Sequence, residues 1–274
     1  MLLEHYSHAA LARILTAAML LFLGIFQIVA PRCFWGLSMY FKGAWGLSIG
    51  ARRALDVSQR ERLTRVLAAR ELAEGDAEAR MRYVGAFTIM MAAVALFPAI
   101  PYVLPYALSC LAMAASVLTS YLHFRRATAR RVAPLVRRSP WQSLPPIAMA
   151  ATAICALGSA AFAIYPQFRV GSAIVVISTI ALVAVAWRVA LAPALLLGDD
   201  AQLEYLVDEH VRYCRVMGLV AQACAPPTVL VALAWATLPS NAHFFDGVML
   251  IVALAFVAVM VMNLNPMRKR IGLA

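Results

Sequence analysis

The chain has 274 residues, of which 64% are hydrophobic and only 14% charged, with a mean hydropathy of +0.80. Soluble domains run at about 45–50% apolar and about 25% charged, so this mixture exceeds what a soluble fold can bury. A soluble enzyme, a disordered chain, a collagen-like fibre and a disulfide-stapled secreted module are excluded, which leaves an all-α, polytopic integral membrane bundle.

Crossing about 30 Å of hydrocarbon takes about 20 helical residues, and seven apolar segments meet or approach that length. In chain order they are 11–30, 83–100, 104–122, 144–165, 170–191, 217–238 and 245–264. They are continuously apolar rather than alternating, which excludes barrel strands. The first is expected to remain in the protein, because Pro31 follows Ala30 where cleavage would fall and Arg32 precedes Cys33. After it, 33–51 repeats Trp-Gly-Leu-Ser at 35–38 and 45–48. Lys42 and four glycines argue for an interfacial or re-entrant segment; if it crosses, the helices number eight.

Two cytoplasmic amphipathic helices are expected at about 54–80 and 199–216. Ser58 and Glu61 form a capping-box pattern in the first. Gly198-Asp199-Asp200 opens the second, with Leu203, Leu206, Val207, His210, Val211 and Cys214 on one stripe and the Asp208/Arg212 pair opposite. Each such helix feeds an antiparallel pair, which suggests two triplets of like direction about a lone fourth span. That fourth span has rows of small residues (Ala148, Thr152, Ala156, Ala160 and Ala151, Cys155, Ser159, Ala163) and is expected to be buried among the others.

Sidedness follows from the basic residues. Segment 31–82 holds ten Lys and Arg, 123–143 holds six, 188–216 three and the tail three, leaving only Arg13 and Arg169 elsewhere. The net charge of +11 therefore reads as orientation against anionic headgroups of the bilayer, not as a nucleic-acid footprint. If seven helices alternate, all four basic segments face the cytoplasm of an inner membrane, the amino terminus lies outside and the carboxyl terminus inside. Trp141, Trp187 and Tyr83 then fall at the inner boundary, and Tyr102, Tyr106, Tyr165 and Trp235 at the outer one. Arg13, Arg188 and Asp246 lie near span ends, within reach of water.

Ionisable residues inside a membrane are the usual pointers to function, and the centres of spans two, three, four and six have none. The main irregularity is Pro226-Pro227 halfway along the sixth span. The prolines remove two backbone donors and free the carbonyls of Gln222 and Ala223. Gln222, Cys224 and Thr228 beside that break, with Ser159 from the fourth span, form the candidate binding set; a tolerated helix kink is the plainer alternative. His5 and His8, one turn apart, and His243 and Asp246, one turn apart, would share the outer face as zinc- or copper-type ligands. Solvated loop histidines are the alternative there. No nucleotide, dinucleotide or hydrolase motif is present, no resident cofactor is expected, and five cysteines without a C-x-x-C pair imply no disulfide framework.

The expected function is a non-enzymatic membrane component, either a permease for a small solute or lipid or a subunit of a larger assembly. Self-association or another membrane protein would supply its partner. The rival is an enzyme acting on lipid or isoprenoid substrates. It would have to use the boundary cluster Asp199, Asp200, Asp208, Glu209, His210 and Arg212.

Overall fold

A computed structural model describes residues 2–31, 61, 76–128, 141, 144–192, 201–237 and 243–264. Among these residues there are seven α-helices and no strand. They are α1 (Leu2–Val29), α2 (Asp76–Ala95), α3 (Val103–Thr128), α4 (Pro146–Ala161), α5 (Pro166–Leu191), α6 (Ala201–Thr237) and α7 (His243–Leu264), with a short 3-10 turn at Phe162–Ile164 after α4. Five contain stretches long and apolar enough to cross a membrane: Ala10–Val29, Val103–Leu122, Pro146–Ile164, Pro166–Leu191 and Arg215–Thr237. Segment 33–51 and most of 54–75 lie outside the described residues.

The turns are placed by prolines. Pro146 and Pro166 sit in the first turns of α4 and α5, where a missing N–H costs nothing, and Tyr165 before Pro166 is extended. α2 stops at Ala95, five residues before the sequence pattern suggests, because Pro98 and Pro101 cannot continue a helix.

Helices consecutive in the chain alternate in direction. On α1 and α2, Arg13 reaches the turn at 97–100 while Gly24 crosses Gly85 eleven residues further along α1. That order makes the pair antiparallel. Arg80, early in α2, donates to Ser120 Oγ late in α3 (2.8 Å), so these two also run oppositely. α4 and α5 form a hairpin pinned by edge-on rings at both ends, Trp141–Trp187 and Phe162–Phe168. α5 and α6 oppose each other through Thr179–Ala223 and Arg212–Ala190, and Trp235 joins the end of α6 to Asp246 early in α7. One end of the bundle thus collects 97–103, 162–168, 235–237 and Asp246. The other collects 29–31, 76–80, Ser120, Trp141, 188–192 and Arg212.

Two arginines work as helix caps. Arg13 donates to Phe97 O (2.6 Å), Ile100 O (2.7 Å) and Pro98 O (2.8 Å), the carbonyls beyond the end of α2. It holds the turn that follows α2, whose Phe97 O also accepts from Ile100 N (3.2 Å), and places a cation near the carbonyl end of that helix, where one is favoured. At the opposite end Arg212 is 6% exposed and donates to Ala190 O and Ala192 O at the end of α5. This corrects the expectation that Arg212 lies opposite the packed stripe; the side chain of its expected partner Asp208 lies outside the described residues. The carbonyl end of α5 draws it inward.

α6 is the central helix: 61% of its apolar window is buried, against 33% for α4. α4 was expected to be enclosed and is instead packed on one side. Ala148, Ala151, Thr152, Cys155 and Ser159 are buried, whereas Ile147, Ile154 and Leu157 face outward and Ala160 is exposed. Small residues do set the closest backbone approach, but in the α1–α2 crossing. A Cβ on Gly85 would lie 2.8 Å from Gly24 O, and one on Gly24 would lie 2.8 Å from Gly85 O. Such contact is a main source of helix association in lipid. Replacing Gly85 by alanine should therefore separate the pair at a cost of about 1–3 kcal/mol, seen as a lower thermal midpoint in detergent. Replacement of the exposed Ala86 by glycine provides the comparison, with a smaller change from helix propensity alone.

Candidate functional site

Pro226 and Pro227 lie inside α6, which continues as helix to Thr237. Pro226 cannot donate to Gln222 O, nor Pro227 to Ala223 O, so two carbonyls lose their usual partners near the middle of the bundle. An unpaired carbonyl in hydrocarbon costs several kcal/mol. A neighbouring helix answers one of them directly: Thr179 Oγ1 on α5 donates to Ala223 O (3.2 Å). Tyr106 on α3 donates its hydroxyl to Pro226 O (2.9 Å). Tyr106 was expected in an aromatic belt at the outer boundary; it is 3% exposed and serves the helix break instead.

Beside this break the side chains of α4 and α6 interlock. Thr152 Oγ1 donates to Ala148 O (2.8 Å) and lies 3.1 Å from Cys224 Sγ. Thr228 Oγ1 donates to Cys224 O (2.9 Å) and lies 3.6 Å from Cys155 Sγ. Cys155 also points its sulfur at Val252 O of α7 (3.9 Å). Residue pairs 152/224, 155/228 and 158/231 mark a parallel crossing in one constant register. Five helices, α3 to α7, therefore contribute to one buried polar node.

Of the candidate set, Cys224, Pro226, Pro227 and Thr228 belong to this node. Ser159 does not meet Gln222. The Gly158–Val231 contact puts Ser159 level with Val231, nine residues and about 13 Å along α6 from Gln222. Ser159 Oγ and Gln222 Oε1 are both buried atoms without a hydrogen-bond partner. Thr152, Cys155, Thr179 and Tyr106 complete the node, and sequence reasoning did not single them out as site residues. Their one signal was polarity in the middle of apolar runs.

Of the proposed metal-ligand set, Asp246 accepts a hydrogen bond from Trp235 Nε1 (2.7 Å) at the end of the bundle that holds 97–103. The side chains of His5, His8 and His243 lie outside the described residues, as do those of Asp199, Asp200, Asp208, Glu209 and His210. At the same end Tyr102 donates to Thr237 Oγ1 (2.8 Å), whose own hydrogen goes to Leu233 O (2.9 Å), and meets the Phe168 ring edge-on. Burial raises its pKa above the ordinary tyrosine value, against the lowering effects of Thr237 and Arg13, so the phenol is neutral at pH 7.

No family model matches the chain, and neither a curated protein nor a solved structure is similar to it. Function must be read from the residues themselves.

Removing the Thr179 hydroxyl tests the node. Thr179→Val should leave Ala223 O unpaired and cost about 1–3 kcal/mol, whereas Thr179→Ser keeps the donor and most of the stability. Thermal unfolding of both variants in detergent separates the two outcomes.

Proposed function

We propose that this chain is a non-enzymatic, multi-pass protein of the inner membrane that serves as a membrane-embedded subunit. The observation supporting this most directly is the node at Pro226-Pro227. The Ala223 carbonyl freed by Pro227 is taken by Thr179, and Tyr106, Thr152 and Thr228 occupy the groups around it. The polar side chains at the break itself join helices to one another.

Seven crossings fit the helix directions better than eight. Pro31 and Asp76 lie at the same end of the antiparallel α1–α2 pair. That shared end suits an even number of crossings between them, none included, and so argues against one extra span. The described arginines support the cytoplasmic assignment of that face: Arg80, Arg82, Arg188, Arg212 and Arg215 are at or near it, and only Arg13 and Arg169 are toward the other. Arg13 is bound to three carbonyls and Arg169 donates to Ala163 O (3.5 Å). By the positive-inside rule the amino terminus is outside and the carboxyl terminus inside. Basic loops on the inner face would meet anionic headgroups, and the outward apolar faces of α1 and α7 would meet lipid, a second copy or a partner protein.

Transport is the second reading, favoured by Gln222 Oε1 and Ser159 Oγ, two buried acceptors with no donor. The enzyme reading loses ground because Arg212 is committed to the end of α5.

Proteoliposomes challenged with a panel of small uncharged solutes distinguish the first two readings. A subunit should show permeation equal to that of empty vesicles, and Pro226→Ala with Pro227→Ala should change nothing but helix shape. Permeation above empty vesicles that the double substitution abolishes would replace the subunit reading with a permease.

A further inference from the structure

We propose that Cys155 and Cys224 form a binding site for one soft monovalent metal ion of the copper(I) or silver(I) class. This stands apart from the choice between subunit and permease. The two cysteines are 69 residues apart in sequence, yet the constant register of α4 on α6 sets them on one crossing, with Cys224 Sγ 3.1 Å from Thr152 Oγ1 and Cys155 Sγ, one helical turn along, 3.6 Å from Thr228 Oγ1. Both are fully buried (0% exposed) and free of any disulfide.

The donor set selects the metal. Thiolate sulfur prefers soft ions such as copper(I), whereas zinc takes four ligands in a tetrahedron. Among the described residues no group of three or more His, Cys, Asp or Glu is positioned to hold a metal, so two sulfurs suit an ion content with two ligands.

Charge sets the protonation. A net charge near the bilayer centre is costly. One monovalent ion, one thiolate and one thiol make a neutral unit: the ion and two Cys–SH groups give Cys–S–M–S(H)–Cys, with one proton released to solvent. The flanking hydroxyls indicate which sulfur ionises. Thr152 already gives its hydrogen to Ala148 O, so its oxygen accepts the Cys224 S–H. Thr228 can turn its hydrogen from Cys224 O to Cys155 Sγ, 3.6 Å away, and stabilise a thiolate there. Cys155 is thus the thiolate and Cys224 the retained thiol.

The experiment uses the reduced full-length chain in lipid nanodiscs, with Cys33, Cys110 and Cys214 replaced by alanine so that only the pair remains. Silver(I) is titrated and counted after gel filtration, with proton release followed by an indicator dye. The expected result is one silver and one proton per chain, and X-ray absorption at the silver edge should show two sulfur neighbours. Adding Cys155→Ala or Cys224→Ala should abolish retention, and Thr228→Val should weaken it about tenfold, the loss of one hydrogen bond to a charged sulfur. No retained silver in the pair-only chain, whose folding is checked by its thermal midpoint, overturns the site. So does retention that survives both alanine substitutions, or release of zero or two protons.

Discussion

Hydrocarbon offers no hydrogen bonds, so every backbone carbonyl that a helix leaves unpaired must find a donor inside the protein. Three places in this bundle show how the chain meets that constraint. Arg13 reaches from α1 to the three carbonyls beyond α2, Arg212 reaches from α6 to the end of α5, and Thr179 and Tyr106 reach to the proline break in α6. In each case the donor comes from a different helix than the carbonyl it serves. Backbone satisfaction and helix association are therefore the same set of contacts here, and a break that would otherwise weaken α6 becomes the point where α3, α5 and α6 are joined.

The same contacts give the bundle its polarity. Arg13 and Arg212 bind carbonyls at opposite ends, and the helices between them reverse in chain order. α6, the most enclosed of the apolar helices, exchanges side-chain bonds with its neighbours along its length, donating through Arg212 at one end and accepting at Thr237 at the other. The outer helices expose large apolar side chains instead, among them Phe22 and Val29 on α1 and Leu250 and Leu254 on α7. Such exposure suits a lipid or protein neighbour and no aqueous one.

Much of this architecture was legible in the residues. Apolar length located the helices, and prolines located the turns at 98–101 and 165–166. Pro226-Pro227 marked the break because a missing N–H is a local property. What was hidden depends on distant pairing. Nothing local tells that Thr179 faces Ala223, or that Thr152 meets Cys224 across 72 positions; only the register of packed helices does. Arg212 was misplaced for a related reason. A stripe of apolar residues predicts which side packs, but it does not register that a carbonyl end next door would draw a guanidinium inward. The fourth helix misled through composition, since small residues permit close packing without requiring it on every face.

The whole arrangement rests on alternation: each helix reverses the one before it, and the end that gathers most of the described arginines is the one proposed to face the cytoplasm. Single cysteines at Ala79 and Arg188 on one end, and at Ala99 and Gln167 on the other, test this in intact cells with a membrane-impermeant maleimide. The account predicts that positions 99 and 167 label from outside, and that 79 and 188 label only after permeabilisation. Labelling of 79 and 188 from opposite sides would contradict the alternation, and labelling of both from outside would contradict the orientation drawn from arginine.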